Sequence, residues 1–421
     1  MVGKGSEPLS LHSTFGRPDY AGACFVNIPR SLRWWMTGEG EPALPRGVVE
    51  GFEGPWQRVV CLFVDALGWR FIEPRLTTHP MLRTVVESGR AVRMTAQFPS
   101  TTAAHVTAFH TGLTPVQSGV YEWNYVEPEL DALICPLPMI FARGHAPLIS
   151  VGADPKKLFA WRSIYGDLAN HGIASTLYLE RSIYDSLYSR RIGKGATRLP
   201  YRSFAECLIN MGDQLRTSDG PTYISAYTDP VDVICHRYGP GAHQTAAVID
   251  SLLDQLDRHL LQRLRGSCPR TLLLITADHG QVDVSPDTTI TLNTDPRFAG
   301  LVEMIETTAT GELKAPVGSP RDMFLHIKPE RFDEAMELLT TQLDGVADVV
   351  PSAALLDAGY FGLEEPSDLF LGRLANLAIL PYEGEAVWWF EKGNFKQTFY
   401  GHHGGLTPGE LEIPLLMLEL S

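Results

Sequence analysis

Residues 58–68 read Arg-Val-Val-Cys-Leu-Phe-Val-Asp-Ala-Leu-Gly, an apolar run of one strand's length stopped by an acid and followed by a glycine. A strand buried on both faces shows such a continuous run instead of alternation, as strands of parallel sheets do. Two further runs share the form. Thr222-Tyr-Ile-Ser-Ala-Tyr227 is followed by Thr228, Asp229 and Asp232, and Thr271-Leu-Leu-Leu-Ile-Thr276 by Ala277-Asp278-His279-Gly280. A fourth, Ile413-Pro-Leu-Leu-Met-Leu418, lies near the end of the chain. Between the runs, Ala246–Gly266 has apolar residues at 248, 249, 252, 253, 256, 260, 261 and 264, close to helical spacing. Strands alternating with helices predict an α/β fold, a mostly parallel central sheet covered by helices on both faces. Ligands of such sheets gather beyond the carboxyl ends of the strands, where Asp65, Asp232 and Asp278 fall.

The remaining sequence divides around this core. Residues 1–55 are rich in Gly and Pro and read as an irregular N-terminal arm. Residues 56–304 and 396–421 are expected to form the core that carries the strand-end acids. Within it, 128–215 shows fewer strand signals and many aromatic and basic residues, and is expected as an insertion over the sheet. Residues 305–395 are expected as a small α+β subdomain, with strands at Asp322–Ile327 and Ala375–Leu380 and an amphipathic helix at Pro329–Leu343.

The totals narrow the function. The 421 residues are 44% hydrophobic and 20% charged, ordinary values for a folded protein. A formal net charge of −14 argues against binding a nucleic-acid backbone, which calls for a basic face. It does not exclude a small anionic substrate, because bound metal ions can dominate a local field. Cys24, Cys61, Cys135, Cys207, Cys235 and Cys268 form no CxxC pair, which fits reduced thiols in a cytoplasmic protein. The first residues contain no apolar stretch of a secretory signal, and no run of about 18 apolar residues predicts a membrane span. A cytoplasmic location without membrane attachment is therefore expected.

Asp65, Asp232, Asp278, His236, His279 and His403 supply three carboxylates and three imidazoles. Mixed nitrogen and oxygen donors suit zinc, and also manganese or iron. Asp232 and His236 are four apart and share a face of a helical turn. Six such ligands suffice for two divalent ions, which together can stabilise the attacking and leaving oxygens of a phosphoryl transfer. A hydroxyl nucleophile is expected beside them. Phe98-Pro-Ser-Thr-Thr102 precedes Ala103-Ala-His-Val-Thr-Ala-Phe-His110, a predicted helix ending near Gly112. A threonine at that start sits among free N–H groups at the positive end of the helix dipole. Thr102 is the candidate and Thr101 the alternative. Taken singly, each residue has an ordinary explanation: Thr102 and Asp65 as helix N-caps, Asp232 and His236 as a surface pair, His403 as part of a turn. His105, His110 and His402 imply no partner and read as structural. The convergence of the others on one sheet edge is what points to chemistry.

In order along the chain, Asp65, Phe98-Pro-Ser-Thr-Thr102, Asp232…His236, Asp278-His279-Gly280 and His403-Gly-Gly405 resemble the alkaline phosphatase superfamily. Thr111-Gly-Leu-Thr-Pro115 and His236-Arg-Tyr-Gly-Pro240 narrow the resemblance to its type I phosphodiesterase/nucleotide pyrophosphatase family, over roughly residues 55–420. The resemblance implies an alkaline phosphatase-like fold and a phosphothreonine intermediate on Thr102. It implies one metal held by Asp65, Asp278, His279 and the Thr102 oxygen, and a second held by Asp232, His236 and His403. Asn124 is implied as a hydrogen-bond donor to the phosphoryl oxygens. Ala103-Ala104-His105 and Ser118-Gly119 depart from many relatives, which carry Asn-His and His-Gly there. The expected activity is hydrolysis of phosphate diesters or nucleotide pyrophosphates, on a small phosphate-ester or nucleotide substrate. The alternatives are a phosphomonoesterase or phosphonate hydrolase on the same core, a mutase, and a metal-binding pseudoenzyme. A monoester site would need a cationic clamp, for which Arg143, Lys156, Lys157 or Arg162 of the insertion are candidates.

Overall fold

The computed structural model describes residues 9–266 and 268–420; the first eight residues of the expected arm, with Ser267 and Ser421, lie outside the described residues. Seven strands form the central sheet: β1 Arg58–Val64, β2 Gly89–Thr95, β3 Ala174–Glu180, β4 Thr197–Tyr201, β5 Thr222–Thr228, β6 Thr271–Thr276 and β7 Glu412–Leu420. Their order is β2-β7-β6-β1-β5-β3-β4. β1 runs parallel to both β5 and β6, and β3 parallel to β5 and β4, whereas β7 is antiparallel to β6 and β2. The sheet is therefore mostly parallel, as expected. β1 and β6 are buried along their whole length, which explains their unbroken apolar sequence. Val64 lies opposite Thr228, and Phe63 opposite Thr276, so three carboxyl ends meet at the middle of one edge.

α1 is Asn27–Thr37, α2 Thr102–Thr111, α3 Phe204–Thr217, α4 Pro230–Tyr238, α5 His243–Leu256 and α6 Phe332–Gln342. α2 ends at Gly112, whose φ of 70° is the left-handed cap that stops a helix without penalty to glycine. α5 continues through a π-helical turn, Asp257–Leu261, into Gln262–Leu264, close to the predicted span.

Two apolar cores flank α2. One surrounds the central sheet and includes Trp35, Phe63, Phe109 and Leu416; the other includes Phe98, Ala103, Tyr121, Phe324 and Ile379. The second lies around a four-stranded antiparallel sheet of Val317–Ser319, Asp322–Leu325, Leu377–Pro381 and Ala347–Pro351, beside α6. The strand expected at Asp322–Ile327 stops at Leu325, and the expected helix begins at Phe332 after a single 3₁₀ turn.

Two expectations need correction. Residues 1–55 contain more than an irregular arm: α1 packs on β1 and α2, with Trp35 fully buried. Its sequence was obscured by Pro29 in its first turn and by flanking glycines. Residues 128–215 also do not lie wholly over the sheet, since β3, β4 and part of α3 come from them. Ser175, Thr176 and Tyr178 interrupt the apolar character of β3. β4 is a half-exposed edge strand, where Pro200 costs no interior ladder bond. The part set against the second core is a small sheet of Tyr125–Glu127, Ala132–Cys135 and Ile140–Phe141.

A buried ion pair fixes the loop that leads into β7. Arg321 Nε and Nη2 donate to Glu410 Oε1 and Oε2 at 3.0 and 2.9 Å, and neither side chain is exposed. Arg321 also donates to the carbonyls of Tyr382 and Glu385, while Glu410 accepts the Gly405 N–H at 3.0 Å. Arg321→Met strands a buried carboxylate and is expected to lower unfolding free energy by about 3–5 kcal/mol, measured by urea titration. A loss below about 1 kcal/mol would contradict this account of the loop.

Candidate active site

The three central strands hand their acids to one point. Asp65 follows β1 directly, and Ala66 takes φ 60°, turning the chain sharply beneath it. The Ala66 and His279 N–H groups both donate to Asp278 Oδ1 at 3.0 Å. Asp232 and His236 lie on α4, one turn apart, with His236 Nε2 3.3 Å from Asp232 Oδ1. His403 arrives on the loop before β7, its Nε2 3.8 Å from Asp232 Oδ1. Close approach explains two glycines here. A Cβ on Gly280 would meet the Gly409 carbonyl at 2.2 Å, and one on Gly404 would meet Asp322 Oδ1 at the same distance.

Thr102 is the first residue of α2, and Thr101 occupies the cap position without a side-chain cap bond. Thr102 Oγ1 lies 3.4 Å from Asp65 Oδ2 and 3.3 Å from His279 Nε2. No such contact is made by the Thr101 hydroxyl among the described residues. His105, expected to be structural, braces this helix start. Its Nδ1–H donates to the Thr101 carbonyl and its Nε2 accepts the Gln97 N–H, both at 2.8 Å. Burial holds its pKa down at about 4, so the ring is neutral.

Asp65, Asp278 and His279 each offer a ligand atom within 4.8 Å of the others, and so do Asp232, His279 and His403. The first group is the expected one. In the second, His279 stands where His236 was expected, and His236 adjoins it through Asp232. The rings of His279 and His403 stack at 3.7 Å, 11° from parallel. All three imidazoles are oriented alike: Nδ1–H donates to the carbonyl of Gly401 from His236, of Gly280 from His279 and of Ser100 from His403, at 2.8–3.0 Å. Each Nε2 is thereby left as a lone pair facing the carboxylates, the tautomer a metal ligand needs.

The electrostatics fit cations. Asp65 Oδ1 and Asp278 Oδ2 are buried with no hydrogen-bond partner. Burial, then repulsion from Asp278 and Asp232, pushes the Asp65 pKa well above the carboxylate range, and burial raises Asp278 to about 7. Asp232 is likewise raised by burial. Burial pushes His279 and His403 well below the usual imidazole value. Crowded buried carboxylates facing neutral imidazoles are costly alone and are the donor set of divalent ions.

Two supporting residues escaped the sequence reading. Tyr227, at the end of β5, donates its hydroxyl to Asp65 Oδ2, and Gln281 Nε2 donates to Asp232 Oδ1 at 2.5 Å. The one available signal was Gln281 directly after Asp278-His279-Gly280. Asn124 lines the same cavity as Thr102. Its Oδ1 accepts the Gly318 N–H at 3.1 Å, which assigns the amide so that its NH₂ remains as a donor. Beside it, burial raises Glu122 to about 7 and, with Glu122 adjacent, Asp322 well above the usual range. None of Arg143, Lys156, Lys157 and Arg162 lines the cavity; Arg143 is committed to Glu391 and Lys157 to Glu129. Five of the six cysteines are buried, Cys268 is partly so, and all are free. Among the described residues no helix is long and apolar enough to cross a membrane.

Comparison with known proteins agrees with this geometry. The family model described as type I phosphodiesterase/nucleotide pyrophosphatase matches residues 59–136 and 164–406. The bovine and human proteins named bis(5'-adenosyl)-triphosphatase ENPP4 are each 31% identical, over 113 and 107 residues. The match spans 24% of the length of either relative, and 25% and 24% of this chain. Among solved structures, murine ectonucleotide pyrophosphatase/phosphodiesterase 5 superposes with a TM-score of 0.61 at 17% identity, covering 86% of this chain and 88% of that one. An inactive form of that murine protein is known in complex with AMP. Phosphonoacetate hydrolase from Sinorhizobium meliloti 1021, in complex with phosphonoformate, gives 0.61 at 16% identity, covering 87% and 92%. With the family model matched along most of its length, this chain belongs to the type I phosphodiesterase/nucleotide pyrophosphatase family of the alkaline phosphatase superfamily.

Proposed function

We propose that the chain hydrolyses phosphate diesters or nucleotide pyrophosphates through a covalent intermediate on Thr102. The observation that carries this reading is the placement of Thr102 Oγ1 within 3.4 Å of both Asp65 and His279 at the start of α2. Asp65, Asp278 and His279 would hold one divalent ion, and Asp232, His236 and His403 a second, with zinc the best match to the donors and manganese or iron also accommodated. When bound, two such ions supply Lewis-acid stabilisation to the attacking and leaving oxygens. The chain's own groups do the rest. Thr102 Oγ1 attacks phosphorus and the leaving oxygen departs opposite it; water then cleaves the phosphothreonine and restores the hydroxyl. The free N–H groups of the first turn of α2 and the Asn124 NH₂ would donate to the phosphoryl oxygens. Tyr227 and Gln281 hold Asp65 and Asp232 in position.

None of the four candidate cations lines the cavity, and its one lysine or arginine among the described residues is the exposed Lys396, so a monoester reading has no buried cationic clamp behind it and diesters are favoured. The test is metal-free protein given back zinc or manganese, assayed on 4-nitrophenyl phosphate and on the 4-nitrophenyl ester of thymidine 5'-phosphate. Metal-dependent turnover favouring the diester at least tenfold is expected. Preference for the monoester would move the assignment to a phosphatase. Two bound metals without turnover of either would favour a specialised phosphonate or mutase substrate, and failure to bind metal would indicate a pseudoenzyme.

A further inference from the structure

Beside the reacting groups lie two buried acids that the mechanism above does not use. Glu122 stands two residues before Asn124, and Asp322 opens the strand Asp322–Leu325 of the second sheet; neither side chain is exposed. Their carboxyl groups are within hydrogen-bond reach of each other. Few donors serve them. Glu122 Oε2 accepts the Trp123 N–H, and Asp322 Oδ1 accepts from the Ser319 hydroxyl at 2.6 Å. Glu122 Oε1 and Asp322 Oδ2 are buried with no donor among the described residues. Nearby groups do not compensate. Arg321 is taken by Glu410, which faces Asp322 as a further negative charge, and the Tyr121 hydroxyl donates to the Arg373 carbonyl. Two ionised carboxylates in contact at such a place are costly, whereas one proton between them satisfies both open oxygens.

The pair sits where two parts of the site meet. The Gly318 N–H donates to Asn124 Oδ1 at 3.1 Å and to the Asn124 carbonyl at 3.2 Å. One residue on, the Ser319 hydroxyl lies 2.6 Å from Asp322 and 2.8 Å from the His403 carbonyl. Residues 318–322 thus bridge the segment of Asn124 and the loop of His403, with Glu122 on that segment and Asp322 on the bridge itself. We propose that Glu122 and Asp322 hold one proton in common and serve as a positioning pair, fixing Asn124 against the loop of His403. This rests on the reading of Asn124 and His403 given above and deepens it. With the proton in place, the contact is a hydrogen bond between an acid and a carboxylate. Without it, two like charges meet in a buried contact and drive the segments apart. Burial holds both acids above the ordinary carboxylate range, the direction that keeps the proton near neutral pH.

The test uses the full-length, metal-loaded protein with Asp322→Asn and Asp322→Ala. Asparagine offers its oxygen to Ser319 and an N–H to Glu122, so it keeps the contact without a shared proton; alanine abolishes it. Asp322→Asn is expected to hold kcat for the 4-nitrophenyl ester of thymidine 5'-phosphate within about threefold of wild type at pH 7, and Asp322→Ala to lose at least tenfold. The ratio of the Asp322→Asn rate to the wild-type rate is expected to rise at least threefold from pH 7 to pH 9, because only wild type loses the proton. The infrared spectrum of wild type minus that of Asp322→Asn at pH 7 is expected to show a protonated carboxyl band. A spectrum without that band, a ratio independent of pH, or equal losses in the two variants would overturn the proposal. Wild type inactive on the diester sinks the phosphodiester reading separately. The infrared band then still decides the shared proton, and calorimetric zinc binding decides the positioning: at least tenfold weakening by Asp322→Ala alone supports it, and unchanged binding overturns it. Should Asp322→Ala not fold, the Asp322→Asn comparisons carry the test.

Discussion

Thr102→Ala is expected to lower kcat/KM for a phosphodiester by about 10⁴-fold while leaving metal content unchanged. The side chain removed is the one hydroxyl at the head of α2 that reaches the acid and imidazole groups, 3.4 Å from Asp65 Oδ2 and 3.3 Å from His279 Nε2. Asp65, Asp278 and His279 each keep their own supports, so the ligand set survives its loss. Thr102→Ser retains the hydroxyl but loses the methyl that restricts χ1, and a loss of about tenfold is expected. Thr101→Ala serves as the neighbouring control. Its hydroxyl makes no cap bond, and its structural contribution is the carbonyl that accepts from His105, which alanine keeps. Steady-state kinetics, metal analysis and acid trapping of a phosphorylated chain read the three variants. A Thr102→Ala enzyme within tenfold of wild type, or a Thr101→Ala enzyme that has lost the intermediate, would remove Thr102 from its proposed role.

Asp65→Asn is expected to act in opposite directions on activity and on metal-free stability. Asp65 and Asp278 are buried with the half-buried Asp232 beside them, and burial followed by repulsion from both raises the Asp65 pKa well above the usual value. A carboxyl whose folded pKa is raised binds protons in the folded state that the unfolded state has released. Stability therefore falls as pH rises from the unfolded value to the folded one. For Asp278 that window runs from 3.8 to about 7. Over it the carboxylates of the metal-free cluster lower stability, while the buried neutral imidazoles of His105, His279 and His403, whose folded pKa values lie below the ordinary one, raise it, so the cluster's own contribution is read by comparing the variant with wild type. Asparagine at 65 removes one charge from the cluster, and its amide oxygen can still accept from Tyr227. Without metal at pH 8, the variant should melt about 1–2 °C above wild type, the shift that roughly 1–2 kcal/mol gives a chain of 421 residues. With metal, wild type should gain stability and the variant little, because one ligand of the first ion is gone. Diester turnover should fall by about 10²-fold or more. Differential scanning calorimetry with and without zinc measures both arms. A metal-free variant that melts at or below wild type would show that the carboxylates are not in conflict without a cation.

The expected placement of β1, β5 and β6 rested on a property that survives without tertiary information. Strands buried on both faces must be apolar throughout, so Arg58–Val64 and Thr271–Thr276 announce themselves, and the acids after them are set at the strand ends by chain connectivity alone. The same locality made α2 readable: a threonine pair at the start, eight helix-compatible residues and a glycine stop all lie within one stretch. Asp232 and His236 share a face because four residues make one helical turn. The motif set was likewise legible by order and type, and it led to the family.

Other features depend on partners distant in sequence. β3 and β4 were missed because a strand carrying Ser175 and Thr176, or lying at an edge, needs only a neighbour to pair with, and the neighbours are β5 and β3. The antiparallel course of β7 depends on where the subdomain returns the chain, which its apolar sequence does not record. Tyr227 reaches Asp65, and Gln281 reaches Asp232, only because adjacent strand ends bring them within hydrogen-bond distance. At the head of α2 the direction of one side chain brings the Thr102 hydroxyl, and not the Thr101 hydroxyl, to Asp65 and His279. Local sequence determined which segments become strands and helices and which acids and histidines stand at their ends, because periodicity and chain connectivity are local. The tertiary structure decided which of those groups face one another, because burial, repulsion between carboxylates and the tautomer of each imidazole arise only when separate strand ends share one volume.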